Sequence, residues 1–316
     1  MEDTPSQTNI DISIVVPVYN EEESLPELEK AINKALSADY NYEIIFVDDG
    51  SSDTSWQQVL SMGAEKDFIH GIALSHNYGK SVALQAGFEK AKGRYVVTMD
   101  ADLQDDPNEV PEMVQMLKDG YDLVSGWKKE RHDPISKTIP SKFFNFVTRK
   151  VAGIELHDFN CGLKAYRAEV VKNIYLYGEL HRYIPMLAKR EGYTRITEKV
   201  VTHHARKYGK TKFGLSRFMN GFLDLITITF VQRYLQKPMH FFGTVGVLLL
   251  VAGGGINLYM AFLKFVYGQG IGDRPLLFLG ILLMVVGVQF FSTGLLGEMI
   301  NKNNVKDQKP RVREII

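Results

Sequence analysis

Residues 95–104 read Y-V-V-T-M-D-A-D-L-Q. Tyr95–Met99 is a short apolar, β-branched run, the length of a buried strand, and it stops at Asp100-Ala101-Asp102. Three runs upstream end in the same way. Ile12–Val18 (I-S-I-V-V-P-V) gives out at Tyr19-Asn20-Glu21, Tyr42–Val47 at Asp48-Asp49-Gly50-Ser51, and Phe68–Leu74 just before His76-Asn77. Between the runs lie helical segments: Glu22–Leu36, with Leu25, Leu28, Ile32 and Leu36 at helical spacing, then Asp53–Lys66 and Lys80–Ala91. Asn108–Lys118 reads as a fourth helix and Asp122–Ser125 as a fifth strand. Such alternation predicts an α/β domain with a mostly parallel sheet. Ligands of such sheets sit at the carboxyl ends of the strands. Asn, Asp and Gly are ordinary turn formers one by one, but four polar clusters at four strand ends point to a site.

The charge distribution divides the chain. It has 316 residues with 37 basic and 37 acidic side chains. Residues 1–127 hold 24 Asp/Glu against 8 Lys/Arg, whereas residues 128–316 hold 29 Lys/Arg against 13 Asp/Glu. That asymmetry points to an anionic partner for the second half. The composition excludes a disordered, collagen-like or disulfide-stapled chain. The single cysteine, Cys161, excludes an intrachain disulfide and suits a reducing compartment. Met1–Asn20 shows neither a basic start nor a long apolar run, so no secretory signal is expected.

Phe241–Leu263 and Pro275–Gly297 each run 23 residues without interruption by basic residues or clusters of charge, the length needed to cross a bilayer core of ~30 Å as helix. The stretch 195–237 carries nine Lys/Arg and two acids, and within Leu215–Leu235 the side chains Phe218, Met219, Phe222, Ile226 and Phe230 share a helix face. A basic segment with an apolar stripe before a span reads as a helix in the headgroup plane; a core helix is the other reading. Basic residues flank both spans, so the positive-inside rule places both termini in the cytoplasm, against the contrary signals of Lys264 and Arg274. The expected organisation is a cytoplasmic domain (1–214), a juxtamembrane amphipathic helix (215–237), two spans (238–300) and a basic tail (301–316). Gly243, Gly246 and Gly253–Gly255 permit close helix packing, so a homo-oligomer is expected. Two spans are too few for a transport path, so a separate flippase is expected to move the product. The basic regions adjoin spans, which makes anionic lipid, not nucleic acid, their partner.

Two carboxylates one residue apart on a sharp turn, as in Asp100-Ala101-Asp102, can hold a hard cation such as Mg2+ or Mn2+ that in turn holds a diphosphate. Opposite Asp48 and Asp49 this pair is far more specific than a bare Asp-x-Asp. No G-x-G-x-x-G follows the first strand and no P-loop is present, which disfavours dinucleotide and ATP sites. His203-His204 lacks partners at metal-ligand spacing, and Cys161 reads as a packing residue.

The motifs V-P-V-Y-N-E (16–21), V-D-D-G-S-S-D (47–53), N-Y-G-K (77–80), D-A-D-L-Q-D-D-P (100–107), D-F-N-C-G-L-K-A-Y-R (158–167) and R-K-Y-G-K-T-K-F (206–213) resemble family 2 glycosyltransferases of the A-type fold. With the two C-terminal spans, the chain is similar to the polyprenyl-phosphate glycosyltransferases. The resemblance implies an inverting transfer of a sugar from a nucleotide-diphosphate donor to a polyprenyl phosphate. It places Pro17, Tyr19, Asn20, Glu21, Asp48, Asp49, Gly50, Ser51, Asp53, Lys80 and Ala101 at the nucleotide sugar, with Arg206 and Lys212 in a basic loop over the diphosphate. It makes Asp100, Asp102 and Gln104 the metal set. It puts Lys128, Arg131, Lys137 and Ser141 near the lipid phosphate, although the family often has Arg where this chain has Lys128 and Lys137. Asp158 is a candidate for orienting the acceptor or acting as base; a turn residue before Asn160 and Gly162 is the other reading.

The sequence therefore predicts a membrane-anchored, metal-dependent transferase of the bacterial inner membrane. UDP-glucose is the first choice of donor, undecaprenyl phosphate of acceptor. GDP-mannose is the next donor. A processive polysaccharide synthase ranks lower, since Gln232-Arg233-Tyr234 matches a Q-x-x-R-W motif only in part. A non-catalytic scaffold is disfavoured by the intact Asp100/Asp102 pair.

Overall fold

The computed structural model describes residues 10–129, 145, 148–150, 152–205, 207–208, 238–268, 270–303 and 312–315. It divides into two units, Met1–Gly221 with Pro310–Ile316, and Phe222–Lys309.

The first unit is built on one eight-stranded sheet of order β7-β5-β6-β4-β1-β2-β3-β8. Its strands are β1 (Ile12–Val18), β2 (Tyr42–Asp48), β3 (Ile69–Leu74), β4 (Tyr95–Thr98), β5 (Leu123–Trp127), β6 (Lys164–Arg167), β7 (Ile196–Val200) and β8 (Val312–Ile315). The predicted strands β1 to β5 are all present. β1 runs parallel to β2 and β4, and β2 parallel to β3. The sheet is nevertheless mixed: β6 is antiparallel to both β4 and β5, and β8 is antiparallel to β3. Neither β6 nor β7 was expected, because K-A-Y-R and I-T-E-K-V lack a continuous apolar run. β8 pairs part of the expected basic tail with the edge of the sheet.

The helices are α1 (Leu25–Leu36), α2 (Ser55–Glu65), α3 (Lys80–Lys90), α4 (Val110–Lys118), α5 (Ala168–Asn173) and α6 (Ile184–Arg190). α1 buries the expected face, Leu25, Leu28, Ile32 and Leu36. It starts three residues later than predicted, with Pro26 in its first turn, where the missing N–H costs nothing. α3 packs tightly on the sheet: a Cβ on Gly87 would lie 2.3 Å from Val15 Cγ1. The C-terminal carbonyls of α3 are capped from outside, where Lys172 Nζ donates to the carbonyls of Phe88 (2.6 Å) and Ala91 (2.8 Å).

The register aligns the strand ends. Val18 pairs with Asp48, Val15 with Thr98, and the Met99 N–H donates to the Val15 carbonyl at 3.2 Å. The chains leaving β1, β2 and β4 therefore emerge side by side, which is what gathers the polar clusters.

The second unit contains α7 (Pro238–Tyr267) and α8 (Pro275–Asn303). Within them, Met239–Tyr267 and Pro275–Gly297 are long and apolar enough to cross a membrane. Both helices overrun the predicted spans. They pack along glycines: a Cβ on Gly246 would lie 2.8 Å from the Gly287 carbonyl oxygen, and one on Gly253 would lie 2.6 Å from that of Gly280. Two of the glycines expected to serve an oligomer thus serve the hairpin itself. The amphipathic segment 215–237 lies outside the described residues.

Gly87→Val is expected to overpack the α3–β1 contact and destabilise the first unit by about 1–3 kcal/mol. A lowered melting temperature of the detergent-solubilised chain, read by near-ultraviolet circular dichroism, is the check.

Candidate active site

The loops after β1 and β2 are stitched together by side chains that each cap the other's backbone. The Asn20 N–H donates to Ser51 Oγ (2.9 Å), and Asn20 Oδ1 accepts from the Ser52 N–H (2.8 Å). The Glu21 N–H donates to Ser55 Oγ (2.9 Å), and Asp53 accepts from the Glu22 N–H (3.3 Å) and the Ser55 N–H (3.0 Å). Asn20 adopts a left-handed φ of 54°, a conformation that Asn tolerates. Tyr19 stays 38% exposed beside this wall. Asp48 is fully buried and accepts from the Ser51 N–H.

Asp49 turns to the neighbouring loop. Its two oxygens accept from the backbone N–H groups of Tyr78 (2.7 Å) and Gly79 (2.8 Å). Burial pushes its pKa up, against those two donors. Gly50 follows with φ 72°, and a Cβ there would lie 2.5 Å from the His76 carbonyl carbon. In D-D-G, Asp49 and Gly50 thus shape the β3–α3 connection.

That connection delivers Lys80, the first residue of α3, to Asp100, where its ammonium pairs with Oδ1. Burial would raise the Asp100 pKa, but the Lys80 ammonium and its hydrogen bond bring it down to about 2. On the other side, a Cβ on Gly162 would lie 2.5 Å from Asp100 Oδ2. Asp102 Oδ1 accepts from the Gln104 N–H (3.3 Å) across a turn in which Leu103 takes a left-handed φ of 59°. Such strain in a non-glycine residue clusters at functional sites. Gln104 is tied to the 202–204 segment: its carbonyl accepts from the His204 N–H at 2.9 Å, and His204 Nε2 lies 3.5 Å from Asp106 Oδ2. The His203-His204 pair, discounted on spacing, is thus brought beside the acidic loop by the fold. Among the described residues no group of three or more His, Cys, Asp or Glu converges as a metal cage. Asp100 and Asp102 instead offer the one or two carboxylates with which Mg2+-like ions are held alongside substrate phosphates.

Three groups near Asp100 were not expected. Ser81 Oγ accepts from the His181 N–H and faces His181 Nδ1, both at 3.0 Å. Burial, then Lys80, keeps the His181 pKa well below its ordinary value. Lys164 is buried on β6 and donates to the Cys161 carbonyl, tying down the 158–163 turn. Only a strand reading of L-K-A-Y-R would have revealed it. Asp158 lies in the same turn, 1% exposed, with Oδ1 accepting from the Asn160 N–H (3.0 Å). Burial pushes the Cys161 thiol up to about 12, which agrees with its packing role.

Lys128 was expected near a lipid phosphate. The structure pairs it with the buried Asp105 carboxylate at 2.8 Å. Arg131, Lys137, Ser141, Arg206 and Lys212 lie outside the described residues. Lys207 and Tyr208 of the basic loop are described; both bond to Glu27 of α1, Lys207 at 2.7 and 2.8 Å.

Residues 13–175 match the family described as glycosyl transferase family 2. The chain belongs to that family. It is a glycosyltransferase, as the motifs implied. It is 40% identical over 304 residues to the dodecaprenyl-phosphate galacturonate synthase of Rhizobium johnstonii, covering 95% of this chain and 90% of that one. It is 38% identical over 299 residues to the undecaprenyl-phosphate 4-deoxy-4-formamido-L-arabinose transferase of Shewanella sediminis, covering 93% and 88%. Among solved structures it resembles glucosyl-3-phosphoglycerate synthase of Mycobacterium tuberculosis bound to Mn2+ and UDP-glucose, with a TM-score of 0.54 at 20% identity over 71% of this chain and 79% of that one. That likeness concerns the fold.

Asp49→Ala is expected to leave the Tyr78 and Gly79 N–H groups without their acceptor, at a cost of about 1–3 kcal/mol. Hydrogen exchange at those two amides should quicken by at least about tenfold, while exchange in β7 stays unchanged.

Proposed function

We propose that this glycosyltransferase moves a sugar from a UDP-sugar to the phosphate of a membrane polyprenol, with inversion at the anomeric carbon. The carrying observation is the paired Asp100 and Asp102 at the end of β4, the strand beside β1. Two relatives whose names pair a polyprenyl phosphate with a sugar support the acceptor class. Their sugars are galacturonate and a formamido-arabinose. The UDP-glucose expected from sequence therefore stands as one donor among three to be tested.

The wall of Tyr19, Asn20, Glu21, Asp48 and Ser51 receives the nucleotide. Asp100 and Asp102 would hold a divalent cation. That cation, when bound, supplies positive charge to the leaving nucleoside diphosphate. An acceptor phosphate oxygen attacks C1 of the sugar, the C1–O bond to the diphosphate breaks, and UDP leaves with that electron pair. The acceptor is already ionised near neutral pH, so no proton needs to be removed. Positioning and electrostatics then suffice, and Asp158 serves to orient the acceptor through the turn it caps.

The apolar hairpin of α7 and α8 supports a membrane location. β8 belongs to the same sheet as β1 to β7. A chain that leaves this unit before residue 238 and returns by residue 312 crosses a bilayer an even number of times, which two spans satisfy. Both termini then share the side of the active site, the cytoplasmic one by the positive-inside rule.

The test incubates the solubilised chain with undecaprenyl phosphate, Mn2+ and radiolabelled UDP-glucose, UDP-galacturonate or UDP-4-deoxy-4-formamido-L-arabinose. One donor should carry label into the organic phase, and EDTA should abolish it. Asp102→Ala should lower the rate at least about 100-fold. Full activity in that variant would contradict the assignment.

A further inference from the structure

Asp100 Oδ1 is paired with the Lys80 ammonium, and Gly162 lies so near that a Cβ there would sit 2.5 Å from Oδ2. The pair is not sealed: the side chains of Lys80 and Asp100 are 31% and 32% exposed. We propose that Lys80 is a built-in counter-ion for the metal-free site, which moves from Asp100 to the donor diphosphate when cation and nucleotide bind. The proposal rests on the nucleotide-sugar reading above and adds to it a coupling between metal and nucleotide and the residue that sets it.

The argument is electrostatic. A dication at Asp100 would share that carboxylate with an ammonium already in contact with it, and two cations in a poorly solvated cleft repel. The metal alone must therefore compete with Lys80. A diphosphate changes the balance, because it brings the displaced ammonium a new anionic partner. Metal and nucleotide then bind with positive coupling, each strengthening the other by the same factor.

The structure provides for a move of this kind. Lys is a point charge on a flexible four-carbon stem, able to change partners without moving the backbone. The backbone beneath it is pinned. Asp49 holds the N–H groups of Tyr78 and Gly79, just before Lys80, and Ser81, just after it, is locked to His181 by two hydrogen bonds. His181 adds no positive charge of its own, since burial and Lys80 hold it neutral. Of the other lysines near Asp100, Lys164 is held by the Cys161 carbonyl and Lys128 by Asp105, which leaves Lys80 as the one in contact with Asp100.

The test measures binding, not turnover. Mn2+ is titrated into the full chain in detergent and followed by electron paramagnetic resonance, with and without UDP, for the natural protein, Lys80→Met and Lys80→Arg. The natural protein should bind Mn2+ weakly alone and at least about tenfold more tightly with UDP. Lys80→Met should bind Mn2+ alone several-fold more tightly than the natural protein, and UDP should then tighten it less. Lys80→Arg keeps the charge and should keep most of the coupling. Metal-only affinity that is unchanged or weakened in Lys80→Met, or coupling that survives in full, would overturn the proposal. The readout needs no lipid, so failure of transfer to polyprenyl phosphate would be seen separately.

Discussion

The ion pair between Asp100 and Lys80 is the interaction on which the arrangement of this corner depends. The charge of Asp100 is held by Lys80 on one side and its position by Gly162 on the other. Each neighbour is in turn fixed by a different part of the fold. Lys80 is delivered by the β3–α3 connection, which Asp49 and Gly50 shape. Gly162 sits in the turn before β6, which buried Lys164 ties down. The antiparallel insertion of β6 between β4 and β5 is therefore more than a topological detail, because it presses that turn against the end of β4.

The same economy governs the acidic half of the chain. Its carboxylates are divided between scaffold and chemistry. Asp49 and Asp53 spend their oxygens on backbone N–H groups of adjacent loops, and Asp105 neutralises Lys128. Asp100 and Asp102 form a small set at the end of β4. A set that small suits a cation shared with a substrate diphosphate better than a metal held by protein alone.

Much of this was legible in the sequence because parallel strands and helices announce themselves. β1 to β5 and the helices between them follow from apolar runs and spacing, and the strand-end clusters follow from the fold class. For the candidate site, the fold shows which of the expected residues stand at the strand ends, and it shows partners that the sequence did not. Asp49 and Gly50 stand at the strand end where a nucleotide contact was expected, yet hydrogen bonds to residues 78 and 79 and a close backbone approach at His76 engage them. Lys164 and His181 were invisible because the first lies in a charged, short strand and the second gains meaning only from Ser81, 100 residues away. Lys128, expected near a lipid phosphate, has Asp105 beside it, a partner that spacing does not announce. Pairings between distant residues carry no local periodicity, and these are the features that composition and spacing miss.

The central claim is that the sugar alone crosses to the lipid phosphate, leaving the whole diphosphate with the nucleotide. The nucleotide released tests it most directly. With polyprenyl phosphate and the preferred UDP-sugar, chromatography of the aqueous phase should show UDP formed in a one-to-one ratio with lipid-linked sugar. Release of UMP would mean that a sugar phosphate is transferred. UDP formed equally well without lipid would mean that water is the acceptor, and either result would contradict the account.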